Sequence, residues 1–314
     1  MLDYIDSKPI DRILIFDWDG VVCNSDSHAL KSMEVALRRV AQGYKFSFRK
    51  DAFEYALKQT SGTTERNFVT NYLRLVGGRF NIGDHNSIIS DFDLLRREYW
   101  LAHNVSDRPN IFPDFSAFLR RCQAIDKVNH LNTVYAIATG NPKETFGVRI
   151  PDFIAEQMHL IVTGEDSDHR HVLVRDVHNQ LESGILYRRY GRKTNVRIHP
   201  HNYEEINKHT LTVYLDDTTR AITHLAIHEG PKNRALSTTP NLRLVYVDRK
   251  GEGKGDYPGF IFHHLLYRAE TLNDQGLMDF VNPKNHGRLE GRSFLEEFNL
   301  RAELEARTRG KEQG

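Results

Sequence analysis

"RILIFDWDGVVCNSD", residues 12–26, is the stretch on which the fold turns. Ile13 to Phe16 make an apolar run of strand length, and the run ends on Asp17 and Asp19 with only Trp18 between them. Carboxylates at the end of a buried strand must be met by opposite charge, because an uncompensated buried charge is costly. Gly20 follows at once and lets the chain turn sharply away.

Similar runs recur at 133–138 (TVYAIA), 159–163 (HLIVT), 211–215 (LTVYL) and 242–247 (LRLVYV). They are near-continuously apolar rather than alternating, as parallel strands covered on both faces require. Helix-period segments such as IPDFIAEQMH and TTRAITHLAIHEG lie between most of them, so the chain reads as α/β with a doubly wound parallel-sheet core. Ligands of such folds bind beyond the carboxyl ends of the strands. The residues there are Asp17-Trp18-Asp19-Gly20, Thr139-Gly140-Asn141 and Asp216-Asp217. Four carboxylates would meet one hydroxyl, and a hard divalent cation such as Mg²⁺ is the simplest relief of their repulsion.

Residues 24–110 break the alternation. The patterns SHALKSMEVALRRVA, RKDAFEYALKQ, TERNFVTNYLRLVG and DFDLLRREYWLAHN predict an all-helical domain inserted after the first strand. The core is then discontinuous, 1–23 and 111–267, and 268–314 form a C-terminal helical extension and tail. The His- and Arg-rich segment 165–200 carries β-type runs, HVLV and GILYRRY, and predicts a hairpin excursion from the core. Its histidines lack the companion cysteines or helix spacing of a zinc site.

Composition narrows the function. Lys and Arg total 43 against 42 Asp and Glu, which argues against a large nucleic-acid footprint, although Arg188, Arg189 and Arg192 cluster locally. Two cysteines, Cys23 and Cys122, cannot make a disulfide framework. The first residues lack the charged and apolar regions of a secretory signal, and no apolar run approaches the ~18 to 20 residues of a membrane span. A cytoplasmic protein without a membrane partner is the expectation. The oligomeric state is open.

The three strand-end motifs, "IFDWDGVV", "YAIATGN" and "VYLDDTT", occur in an order that resembles the haloacid dehalogenase (HAD) superfamily of aspartate-nucleophile phosphotransferases, and among them the helical-cap phosphoglycolate phosphatase and β-phosphoglucomutase-like members. The similarity spans roughly residues 12–250. It implies a Mg²⁺-dependent phosphatase with a Rossmann-like core and a cap. Asp17 would be the nucleophile that becomes an aspartyl-phosphate, and Asp19 the general acid and then base, its backbone carbonyl also on the metal. Thr139 would hold a phosphoryl oxygen, with Trp18, Gly20, Gly140 and Asn141 around the phosphate. Asp216 and Asp217 would join Asp17 and Asp19 at the metal. A lysine completes the pattern; Lys193 is the choice over Lys208. In the cap, the stretch TSGTTERNF resembles a loop that reaches the active site, and Arg66 and Lys58 are candidates to meet the substrate.

The implied substrate is a small phosphorylated metabolite or a nucleotide. A phosphomutase would share every core group, and a nucleic-acid-end phosphatase would need a basic channel. A dehalogenase would need neither Asp19 nor metal. A binding module on a retained scaffold is the reading outside enzymology; the intact acidic set speaks against it.

Overall fold

The computed structural model describes residues 9–24, 27–77, 81–104, 107, 110–164, 167, 169–182, 185–187, 195–197, 210–228, 242–249, 265–269 and 271–285. Six parallel strands form one sheet: β1 (Arg12–Phe16), β2 (Thr133–Thr139), β3 (Leu160–Thr163), β6 (Leu211–Asp216), β7 (Leu242–Val247) and β8 (Leu265–Ala269). Their order is β3-β2-β1-β6-β7-β8, with β1 in the interior. Successive residues of β1 serve opposite faces, as the period of two demands. Leu14 and Phe16 pack with Phe115, Phe118 and Cys122 of α5 (Pro113–Asn129) and with Leu277 and Met278 of α10 (Gln275–Phe280). Ile13 and Ile15 pack with α8 (Arg170–Glu182) and α9 (Thr219–His228). Helices therefore cover both faces, and the doubly wound expectation holds.

Between β1 and α5 lie α1 (Ser27–Gly43), α2 (Lys50–Thr60), α3 (Glu65–Leu75) and α4 (Ile82–Ala102). They have a core of their own, with Leu37, Phe53, Phe68, Tyr72, Ile88 and Phe92 buried together. This is the helical insertion. Two short helices, α6 (Lys143–Arg149) and α7 (Asp152–Ala155), separate β2 from β3.

Three sequence expectations are corrected. HVLV is not a strand: it lies in α8, where Leu173, Val174, Val177 and Leu181 are buried at helical spacing against the sheet. The hairpin is confined to β4 (Ile185–Tyr187) and β5 (Asn195–Arg197), paired antiparallel. The core does not stop at residue 267, since β8 runs to Ala269 and α10 packs under the sheet beyond it. The helix expected within SFLEEFNLRAELEAR lies outside the described residues. No described helix is long and apolar enough to cross a membrane.

Candidate active site

Strand pairing builds the centre of the site. β1 and β6 run in register with Phe16 opposite Leu215, and the Asp17 amide donates to the Leu215 carbonyl at 2.9 Å. Asp17 and Asp216 therefore leave the sheet side by side. Asp217 closes the group against Gly20, which has φ +81°. A Cβ on Gly20 would lie 2.0 Å from Asp217 Oδ2, so the turn after β1 must be glycine for the third carboxylate to approach. Carboxylate oxygens of Asp17, Asp216 and Asp217 lie within 4.8 Å of one another.

Among the described residues, one cation faces them. Arg170, the first residue of α8, grips Asp17 with both terminal nitrogens: Nη1 to Oδ1 at 2.6 Å and Nη2 to Oδ2 at 3.1 Å. Its Nε is 3.8 Å from Asp216 Oδ2. Asp216 also accepts from the Thr218 amide at 2.8 Å, the Thr218 hydroxyl at 2.6 Å and the Tyr214 hydroxyl at 2.5 Å. Burial pushes the Asp17 carboxyl well above its usual pKa; Arg170 opposes this, and Asp216, Asp217 and Asp19 add to it. Among the described residues, three clustered carboxylates against one guanidinium make a net negative group. A set of hard oxygen donors with that excess fits a divalent cation such as Mg²⁺.

Asp19 is held separately. Arg149, at the end of α6, donates Nη2 to Asp19 Oδ1 at 2.6 Å and Nη1 to Oδ2 at 3.5 Å. Asn141 Nδ2 donates to Asp19 Oδ2 at 2.7 Å and to the Thr139 hydroxyl at 2.7 Å, and Asn141 Oδ1 accepts from Arg149 Nη1 at 2.6 Å. Burial alone would raise the Asp19 pKa, but the charge and hydrogen bonds of Arg149, with the Asn141 amide, hold it below the usual value. Arg149 Nε reaches Asp107 Oδ2 at 2.7 Å, and the Trp18 indole N–H reaches the same oxygen at 2.8 Å. The backbone N–H of Trp18 is turned to Asp17 Oδ1 at 2.8 Å. The turn itself is braced from behind by Arg249, which donates to the carbonyls of Gly20 at 2.8 Å and Val21 at 3.1 Å.

The loop before α3 reaches this site, in line with its sequence. The Glu65 amide donates to the Gly140 carbonyl at 3.0 Å. A Cβ on Gly140 would lie 2.6 Å from the Thr63 carbonyl oxygen, and one on Gly62, where φ is +76°, would lie 2.5 Å from Thr218 Oγ1. The insertion thus rests on both the β2 and β6 ends. Arg66 is directed elsewhere: its Nη2 bonds Asn86 Oδ1 on α4 at 3.1 Å, within the insertion. Lys58 is exposed on α2.

Asp17, Asp216, Asp217 and Gly20 thus meet at one point, with Asp19, Thr139, Gly140, Asn141 and the Trp18 backbone around it. Lys193 and Lys208 lie outside the described residues, as do Arg188, Arg189 and Arg192. The cation beside Asp17 among the described residues is Arg170. Sequence reasoning passed over it inside "DHRHVLV" because it sought a lysine; a guanidinium supplies the same charge with a planar fork that suits a carboxylate. Arg149, Asp107 and Arg249 carried no local signal, since each acts through a partner distant in sequence.

No protein-family model matches the chain, and no curated protein matches it. Among solved structures, the chain is similar to a hydrolase from Pseudomonas syringae at 12% identity and TM-score 0.46, covering 86% of this chain and 98% of that one. It is similar to CbbY from Rhodobacter sphaeroides in complex with phosphate, at 11% identity and TM-score 0.48, covering 85% and 97%. A predicted phosphatase from Clostridium acetobutylicum is similar at 13% identity and TM-score 0.47, covering 84% and 95%.

Proposed function

We propose that the protein is a Mg²⁺-dependent phosphatase of the haloacid dehalogenase type, hydrolysing a phosphate monoester of a small metabolite or nucleotide through an aspartyl-phosphate on Asp17. The observation that carries this reading is the convergence of Asp17, Asp216 and Asp217 at adjacent strand ends, with Arg170 on Asp17. Asp17 would attack phosphorus with a carboxylate oxygen while the ester oxygen leaves, and water would then cleave the acyl phosphate. Arg170 aligns the Asp17 carboxylate and supplies positive charge beside the transferring group. The Thr139 hydroxyl accepts from Asn141, which leaves its own proton to donate to a phosphoryl oxygen. Asp19, held by Arg149 and Asn141, would be the proton donor to the leaving oxygen and then the base for water. Asp17, Asp216 and Asp217 would hold Mg²⁺, which when bound supplies charge to the phosphoryl oxygens.

The test is a phosphate-release screen over sugar phosphates, nucleotides and oligonucleotide ends, with and without Mg²⁺. Release that needs Mg²⁺ and vanishes in Asp17→Asn is expected. Wild-type turnover by Asp17→Asn would overturn the mechanism, and interconversion of phosphate isomers without release would make the protein a mutase.

A further inference from the structure

Asp19 is the exposed end of a network that is otherwise buried. Its side chain is 31% exposed, whereas Trp18, Asp107, Asn141 and Arg149 are each 3% exposed or less. Arg149 is engaged on every side: Nε bonds Asp107, Nη1 bonds Asn141, Nη2 bonds Asp19, and the Trp100 ring of α4 covers its face at 4.9 Å. Four buried residues thus converge on one carboxylate that solvent reaches.

Asp107 sets the plane of that guanidinium. Its Oδ2 accepts from Arg149 Nε at 2.7 Å, and its amide donates to the Arg149 carbonyl at 3.2 Å, so it grips the arginine by side chain and main chain alike. The same Oδ2 accepts from the Trp18 indole at 2.8 Å and so ties down the residue between Asp17 and Asp19. The Trp18 ring packs edge-on against Phe146 of α6 at 5.0 Å, and the Thr145 amide of that helix donates to Asp93 of α4 at 3.0 Å. A guanidinium bonded to one carboxylate can pivot about it. One anchored to carboxylates on two edges cannot, and the edge it offers Asp19 is fixed.

We propose that Asp107 is a positioning residue for proton transfer at Asp19: acting through Arg149, it fixes the direction in which the Asp19 carboxyl faces the leaving oxygen. The proposal rests on the phosphatase reading, in which Asp19 delivers a proton to that oxygen. Its consequence is selective. An alkoxide is a poor leaving group and needs the proton, so a misdirected Asp19 costs the enzyme dearly on an alkyl ester. A nitrophenolate leaves readily without one, and its ester is spared.

The test compares kcat/KM for butyl phosphate and p-nitrophenyl phosphate, with folding followed by thermal melts. In Asp107→Leu the ratio of the first to the second should fall by about 10- to 100-fold relative to wild type. Asp107→Asn keeps an oxygen for both donors and should restore most of that ratio. Arg149→Lys keeps the charge but cannot bridge two carboxylates, and it reads the same split should Asp107→Leu not fold. Equal losses on both esters in the folded variants would overturn the positioning role and leave the phosphatase standing, because a merely structural defect does not sort esters by leaving group. A ratio in Asp107→Asn as low as in Asp107→Leu would also overturn it. Absence of phosphate release from either ester by the wild type with Mg²⁺ would overturn the phosphatase reading and this proposal together.

Discussion

The two ends of the sheet handle buried charge in opposite ways. At the amino ends of the strands, Arg12 is fully buried and meets Asp126 at 2.5 Å, the Val281 carbonyl at 2.8 Å and the Thr133 hydroxyl at 3.3 Å. The Tyr135 hydroxyl takes the other Asp126 oxygen. One cation faces one anion, and neutral groups complete the shell. At the carboxyl ends, Arg170 is the cation that, among the described residues, meets Asp17 and approaches Asp216, with Asp217 beside them. Among the described residues, the first end pairs one cation with one anion, whereas the second gathers more carboxylates than cations. That contrast separates a structural ion pair from a site built to bind.

The contrast can be broken from either side. Asp17→Asn removes the proposed nucleophile and should lower kcat by about 10⁴-fold or more, read as phosphate release from a protein with unchanged circular dichroism. Arg12→Met should do the reverse. Stranding Asp126 is expected to cost about 3–5 kcal/mol of stability, seen in urea titration, with activity per folded molecule retained. Arg170→Met should lower kcat/KM by about 10²–10³-fold, while Arg170→Lys, which keeps charge but loses the fork, should recover part of that loss.

The smallest effect tests the buried middle of the molecule, between the two ends. His178 on α8 sits against Thr212 of β6, and burial lowers its pKa to about 4. Above the unfolded value of about 6.5 both states are neutral and the group contributes nothing to the pH dependence. As pH falls from about 6.5 toward about 4 the unfolded chain takes up the proton first, so stability drops by at most about 3 kcal/mol. His178→Gln should flatten that acid limb in thermal melts taken across the window.

Much of the fold was legible because β1, β2, β6 and β7 are near-continuously apolar, a pattern that neither a half-exposed strand nor an amphipathic helix produces. The insertion was legible because α1, α3 and α4 keep helical spacing where no strand intervenes. HVLV misled because three branched or leucine residues in a row satisfy either period; only the continuation through Val177 and Leu181 shows the helix. In the candidate site, Asp17, Asp19, Asp216 and Asp217 could be placed because each ends a strand. Arg170 and Arg149 could not, because an arginine's role is set by the carboxylates it meets, and those lie far away in the chain. Glu65, next to Arg66, reaches the Gly140 carbonyl with its amide and Arg96 with its carboxylate, and no local pattern marks either contact.

The docking of the insertion on Gly140 has one more consequence. The contact runs from the Glu65 amide to the Gly140 carbonyl, with Gly62 and Gly140 leaving room for it. The seating of the insertion is thus written in main-chain atoms, whereas its own core is written in side chains. The two properties can drift independently. A descendant of this protein could repack the side chains inside the insertion while the insertion continued to seat on the same main-chain carbonyl.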